Sequence, residues 1–83
     1  MFYVYILQSL SYNTYYVGST KDIDRRLKEH NAGKCRYTSG RMPWRLVYKE
    51  IFSTRTKAIK REHALKSVYI EKFLKKAGLS LER

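Results

Sequence analysis

Eighty-three residues with 18 lysines and arginines against 7 acidic residues carry a formal charge of +11. A chain this short is expected to build one domain over residues 1–83, and so dense a positive charge favours a polyanion, nucleic acid first, because neutralised phosphates release their counterions. Its single cysteine, Cys35, excludes an intramolecular disulfide and a CxxC zinc site, and no apolar run nears the roughly 20 residues needed to span a bilayer. The apolar start lacks a basic leading region and a small-residue cleavage site, so it reads as a strand, and a soluble, cytoplasmic protein is expected.

Residues 2–7 are aromatic, β-branched or aliphatic and predict the first strand. Ser11, Asn13 and Thr14 supply turn chemistry, and residues 15–19 resume strand character, so the two runs form an antiparallel hairpin. Ser19 with Asp22 resembles a capping box, and a helical pattern follows to about residue 31, closed by Gly33. Residues 34–43 form a polar, basic loop, and residues 44–52 return to strand composition. Ser53 or Thr54 can cap a second helix reaching about residue 66. A third helix over 69–76 carries Ile70, Phe73 and Leu74 on one face and stops at Gly78. The order β-β-α-β-α-α predicts an α+β fold, a three-stranded antiparallel sheet flanked by helices.

Two helices carry charge where apolar residues belong. On the first, Ile23, Arg26, Leu27 and His30 share one face, while Arg25, Lys28 and Glu29 face outward. On the second, Ala58, Ile59 and Leu65 define the apolar face and Glu62 falls among them. A carboxylate facing a core is costly unless it is paired or holds a cation. Two readings stand at this point. Arg26 can snorkel over the stripe, with His30 closing the helix at its negative pole, or can pair with Glu62 across the sheet. Alternatively these groups and several of the eight tyrosines converge on a pocket suited to phosphodiester hydrolysis.

The ordered motifs resemble the GIY-YIG nuclease domain over nearly the whole chain. Its first triplet corresponds to Tyr3-Val4-Tyr5, with Tyr3 where the family name has Gly, and its second to Tyr16-Val17-Gly18. The family's arginine corresponds to Arg26, followed by His30, and its metal-binding glutamate to Glu62 in the helix that runs from Ala58 to Lys66. Each piece alone is common; their order and spacing together are specific.

The resemblance implies a metal-dependent endonuclease acting on DNA, structured or damaged DNA included, that leaves a 5′-phosphate and a 3′-hydroxyl. Tyr16 would be the general base or relay phenol, with Tyr5 beside it ordering the water. Arg26 would steady the scissile phosphate, His30 support the pocket, and Glu62 hold one Mg²⁺ or Mn²⁺. Gly18 would leave room for a close backbone approach. Lys21, Arg36, Thr38, Arg41 and Lys66 are expected to contact nucleic acid, His63 to lie on a helix surface and Cys35 to be inert. No small-molecule cofactor and no membrane partner is expected. The protein should be a monomer or weak dimer, with Trp44 or the last helix as a candidate contact. The competing readings are a non-catalytic nucleic-acid-binding module using the same basic surface, and a basic ribonucleoprotein component. That every expected catalytic position is occupied favours the enzyme.

Overall fold

The computed structural model describes residues 1–78. Strands β1 (Phe2–Ser9), β2 (Tyr15–Thr20) and β3 (Trp44–Phe52) form an antiparallel sheet in the order β2-β1-β3. Helices α1 (Ile23–Asn31), α2 (Arg55–Lys66) and α3 (Ile70–Lys76) complete the expected β-β-α-β-α-α order. Among the described residues, no helix is long and apolar enough to cross a membrane.

The central strand β1 has helices over both faces, so residues 4–9 are all buried instead of alternating with solvent. Successive side chains point to opposite faces and divide the core in two. Val4, Ile6 and Val17 pack with Ala58, Leu65 and Leu74 under α2 and α3. Tyr5, Leu7 and Trp44 pack with Ile23 and Leu27 under α1. The register shifts where Ile6 faces Tyr48 but Leu7 faces Leu46, leaving Val47 as an extra residue in β3. This bulge puts Val47 and Tyr48 against the α2–α3 core while Leu46 joins the other.

β1 runs two residues beyond the expected strand. Ser9 holds its end by donating to the Arg41 carbonyl (2.8 Å) while its oxygen accepts from the amides of Ser11 and Tyr12 at 3.2 and 2.9 Å. The first helix is capped by Asp22, which accepts from the Arg25 amide at 3.1 Å, and not by Ser19, which still belongs to β2. Thr54, not Ser53, caps α2 by accepting from the Lys57 amide. Gly33 follows α1 at φ +76°, the left-handed conformation that favours glycine.

Three other expectations change. Ile59 is 39% exposed, so the buried face of α2 is only Ala58 and Leu65. Trp44 is 3% exposed and cannot be a dimer contact: it fills the α1 core and donates its indole N–H to the Thr38 carbonyl at 2.9 Å. α3 spends its apolar face on the protein's own core, with Leu74 fully buried and Ile70 and Phe73 packed beside it.

Candidate active site

β2 is an edge strand, and its two faces bring different chemistry to one place. Tyr16 and Gly18 share the α1 side with Tyr5, because Tyr5 pairs with Gly18 and Leu7 with Tyr16. Ser19 faces α2, where its hydroxyl donates to Glu62 Oε1 at 2.7 Å.

On the α1 side, helix geometry aims His30 inward, and it is fully buried. Its Nε2 lies 3.0 Å from the Tyr5 hydroxyl and its Nδ1 2.8 Å from Thr38 Oγ1. The Tyr16 ring is 4.9 Å from the imidazole and 6.2 Å from the Tyr5 ring, centroid to centroid. Gly18 makes this cluster possible. A Cβ there would stand 2.5 Å from the Tyr5 hydroxyl and 3.0 Å from the Tyr16 ring. The expected close approach is therefore by side chains, not by backbone.

Arg26 hydrogen-bonds Glu29 Oε1 through Nη1 at 3.0 Å and is coupled electrostatically to the Tyr5 hydroxyl. Burial works against its charge, but the bond to Glu29 and the coupling to Tyr5 outweigh it and raise its pKa further. Burial pushes the Tyr5 phenol well above its ordinary value, against the opposing pull of Arg26, so Tyr5 stays neutral. Burial, with the Arg26 charge, lowers the His30 pKa.

On the α2 side, burial disfavours the Glu62 charge, but hydrogen bonds from Lys66 and Ser19 outweigh it and hold the carboxyl below its ordinary range. Lys66 Nζ sits 2.8 Å from Oε2. The postulated Arg26–Glu62 bridge is absent: the two lie on helices covering opposite faces, each paired with a residue of its own helix. Lys66 closes the circuit. Besides its bond to Glu62, it lines a cleft of about 370 Å³ with Tyr16 and Tyr37.

The donor set suits a hard, largely hydrated cation. Glu62 is one ionised carboxylate, oriented by Ser19, and Mg²⁺ is commonly bound by one or two carboxylates plus water and substrate phosphate. Among the described residues no cluster of three or more His, Cys, Asp or Glu offers an all-protein cage.

The residues expected to bind nucleic acid fall into three groups. Lys66 and Arg41 flank the Tyr16 cleft, with the Arg41 guanidinium 5.6 Å from the centre of the exposed Tyr37 ring. Lys21 lines a separate cleft of about 360 Å³ with Ser19, Arg26 and Arg55. Arg36 is exposed on the loop. Thr38 is a correction: it is fully buried and bonds His30, so it presents nothing to a phosphate. His63 is exposed, as expected, and Cys35 is a half-buried free thiol.

Sequence reasoning missed Ser19, Glu29, Tyr37 and Arg55. The i,i+3 spacing of Arg26 and Glu29 was a usable sign of pairing, whereas Ser19 meets Glu62 across 43 positions and left none.

The buried imidazole has a consequence for stability. Its folded-state pKa is depressed from 6.5, so the unfolded chain takes up its proton first. This contribution is fully present above about pH 6.5 and is lost as pH falls through the folded value, ahead of the carboxylates, whose unfolded pKa values lie near 4. Urea unfolding should show stability beginning to fall below about pH 6.5, before the carboxylates titrate, with a shallower fall in His30→Gln. Equal slopes in the two proteins would contradict the buried neutral imidazole.

Residues 1–76 match the family described as the GIY-YIG catalytic domain. A UPF0213 protein of Haloquadratum walsbyi is 49% identical over 71 residues, covering 84% of this chain and 79% of that protein. A UPF0213 protein of Staphylococcus saprophyticus is 40% identical over 74 residues, covering 88% of this chain and 89% of the relative. The solution NMR structure of a UPF0213 protein from Bacillus halodurans is similar at a TM-score of 0.55 and 38% identity, covering 94% of this chain and 84% of that one. With the motif tyrosines, Arg26, His30 and Glu62 gathered about one strand edge, the chain belongs to the GIY-YIG catalytic-domain family and to its UPF0213 proteins, a membership that points to nuclease-type activity.

Proposed function

We propose that the protein is a metal-dependent endonuclease that hydrolyses phosphodiester bonds in DNA and leaves a 5′-phosphate and a 3′-hydroxyl. One observation carries this reading: Tyr5 bonded to His30, the His30 ring beside Tyr16, and Tyr16 sharing a cleft with Lys66, which pairs with Glu62, all at the edge of β2 with Arg26 on the same side as Tyr5. It joins a cation, phenols, an imidazole and a carboxylate at the edge of one strand, in a basic protein. The residues divide the work as follows. Arg26, kept charged by Glu29 and Tyr5, grips the scissile phosphate and stabilises the charge that builds on its oxygens. Tyr16, half-exposed at the cleft where Tyr5 is buried, relays the proton of the attacking water, taking it up as its own phenolic proton passes to solvent. The water oxygen bonds phosphorus, the bond from phosphorus to the 3′ oxygen breaks, and that oxygen takes a proton from solvent water. Glu62 would hold the divalent cation, which when bound supplies further electrostatic stabilisation of the phosphoryl group. Lys66, Lys21, Arg36 and Arg41 hold the flanking backbone.

A panel of duplex, single-stranded and branched DNA and of RNA, incubated with Mg²⁺ or Mn²⁺, tests the reading. The native protein should nick DNA only with metal. Arg26→Ala and Tyr16→Phe should each slow it by about 10²-fold or more, the usual size of an electrostatic or acid–base contribution. No cleavage of any substrate, or cleavage of RNA alone, would overturn the proposal. A non-catalytic binder would instead keep its affinity in both variants, with a steep dependence on salt.

A further inference from the structure

His30 is buried between two hydroxyls, and the hydrogen-bond inventory of its neighbours decides which nitrogen carries the proton. The Tyr5 hydroxyl meets His30 Nε2 at 3.0 Å, with the Arg26 guanidinium coupled to it electrostatically. A guanidinium can only donate, so Tyr5 turns a lone pair toward it and its own proton toward Nε2. Thr38 requires the same arrangement: its hydroxyl spends its proton on the Cys35 carbonyl and can only accept from His30, which leaves Nε2 bare. The ring then carries its proton on Nδ1, and the acceptor for that N–H is Thr38 Oγ1 at 2.8 Å.

Thr38 is itself held in place. Its hydroxyl donates to the Cys35 carbonyl (3.3 Å), its amide donates to the same oxygen (3.1 Å), and its carbonyl receives the Trp44 indole N–H. Thr38 is fully buried, so no water competes for the imidazole. The opposite tautomer would set an N–H against the Tyr5 hydroxyl and strand that hydroxyl's proton between two donors, at a cost of about 1–3 kcal/mol for an unsatisfied buried group.

We propose that Thr38 is a positioning residue of this site, whose hydroxyl locks His30 in the Nδ1–H tautomer so that Nε2 receives the Tyr5 proton and Tyr5 presents a lone pair to Arg26. The lock sets the direction of every hydrogen bond from the Cys35 carbonyl to the arginine that grips the phosphate. Its effect on catalysis rests on the endonuclease reading; the tautomer itself does not. The titratable or charged groups around the imidazole are Tyr5 and Tyr16 from the sheet, Arg26 and Glu29 from α1, and Cys35 from the loop that carries Thr38.

Nitrogen-15 NMR of the His30 ring in the native protein near neutral pH should show Nδ1 protonated and Nε2 bare. Thr38→Val removes the acceptor and should populate the Nε2–H form. It should lower kcat by about 10- to 100-fold, within the range of one acid–base contribution, with KM nearly unchanged. The pH profile of kcat should shift with it. Thr38→Ser, which restores the hydroxyl, should recover the native tautomer, rate and profile. A proton on Nε2 in the native protein overturns the proposal, whether or not Thr38→Val folds. So does a Thr38→Val protein with the native tautomer and rate, or a Thr38→Ser protein as slow as Thr38→Val. If the native protein cleaves nothing, the endonuclease reading falls and the tautomer still decides the lock.

Discussion

Glu62→Gln is expected to abolish metal-dependent cleavage while leaving the fold intact. The two consequences separate because the carboxylate does little for stability where it sits. Its partner Lys66 has a half-exposed side chain, and the two form an i,i+4 pair of a kind worth only about 0.3–0.5 kcal/mol. The amide of glutamine can still accept from Ser19, so unfolding should change by less than about 1 kcal/mol. Losing the charge that would hold the cation forfeits several kcal/mol of transition-state stabilisation. Each 1.36 kcal/mol is tenfold in rate, so cleavage should fall by at least about 10²-fold. Direct titration with Mn²⁺ should show the corresponding loss of binding. A Glu62→Gln protein that binds Mn²⁺ and cleaves like the native one would remove the carboxylate from the mechanism.

Gly18→Ala should damage both stability and activity, through one methyl group. That methyl would stand 2.5 Å from the Tyr5 hydroxyl and 2.7 Å from its ring carbon Cζ, far inside contact distance. Tyr5 has no open space to retreat into. It is 2% exposed and bonded to His30, so the phenol or the strand must shift. Overpacking of this kind costs about 1–3 kcal/mol, and each kcal/mol lowers Tm by roughly 4–8 °C in a domain of this size. The hydroxyl displaced is the one bonded to His30 and coupled to Arg26. A misplacement of about 1 Å can cost about 10²-fold in rate, and the fall should survive at temperatures where the variant is fully folded. Unchanged Tm and unchanged rate together would show that Tyr5 is not packed on Gly18.

The α+β element order was legible because its cues are local: β-branched and aromatic runs, turn residues, a helix cap and the glycines at 33 and 78. Where expectation and structure part, the deciding contacts are distant in sequence. The first strand runs on through Gln8 and Ser9 because β3 and the hairpin loop hold them, Arg45 donating to Gln8 Oε1 and Ser9 accepting from the loop amides, which their composition does not announce. Ser19 looked like a helix cap and proves to orient Glu62. Thr38 looked like a loop residue open to phosphate and proves to be fully buried against His30.

Arg26 and Glu62 show the same division. Helix periodicity alone identified two charges on apolar faces, since the 3.6-residue repeat fixes which side chains share a face. It left open whether they neutralise each other, because periodicity says nothing about which side of the sheet a helix covers. The sequence by itself determined the order of elements, the basic character and the identity of the unusual side chains, all properties of spacing and composition. Only the tertiary structure decided that α1 and α2 cover opposite faces. The two charges therefore never pair, and reach one site only around the edge of β2, where Gly18 lets Tyr5 and Tyr16 lie side by side.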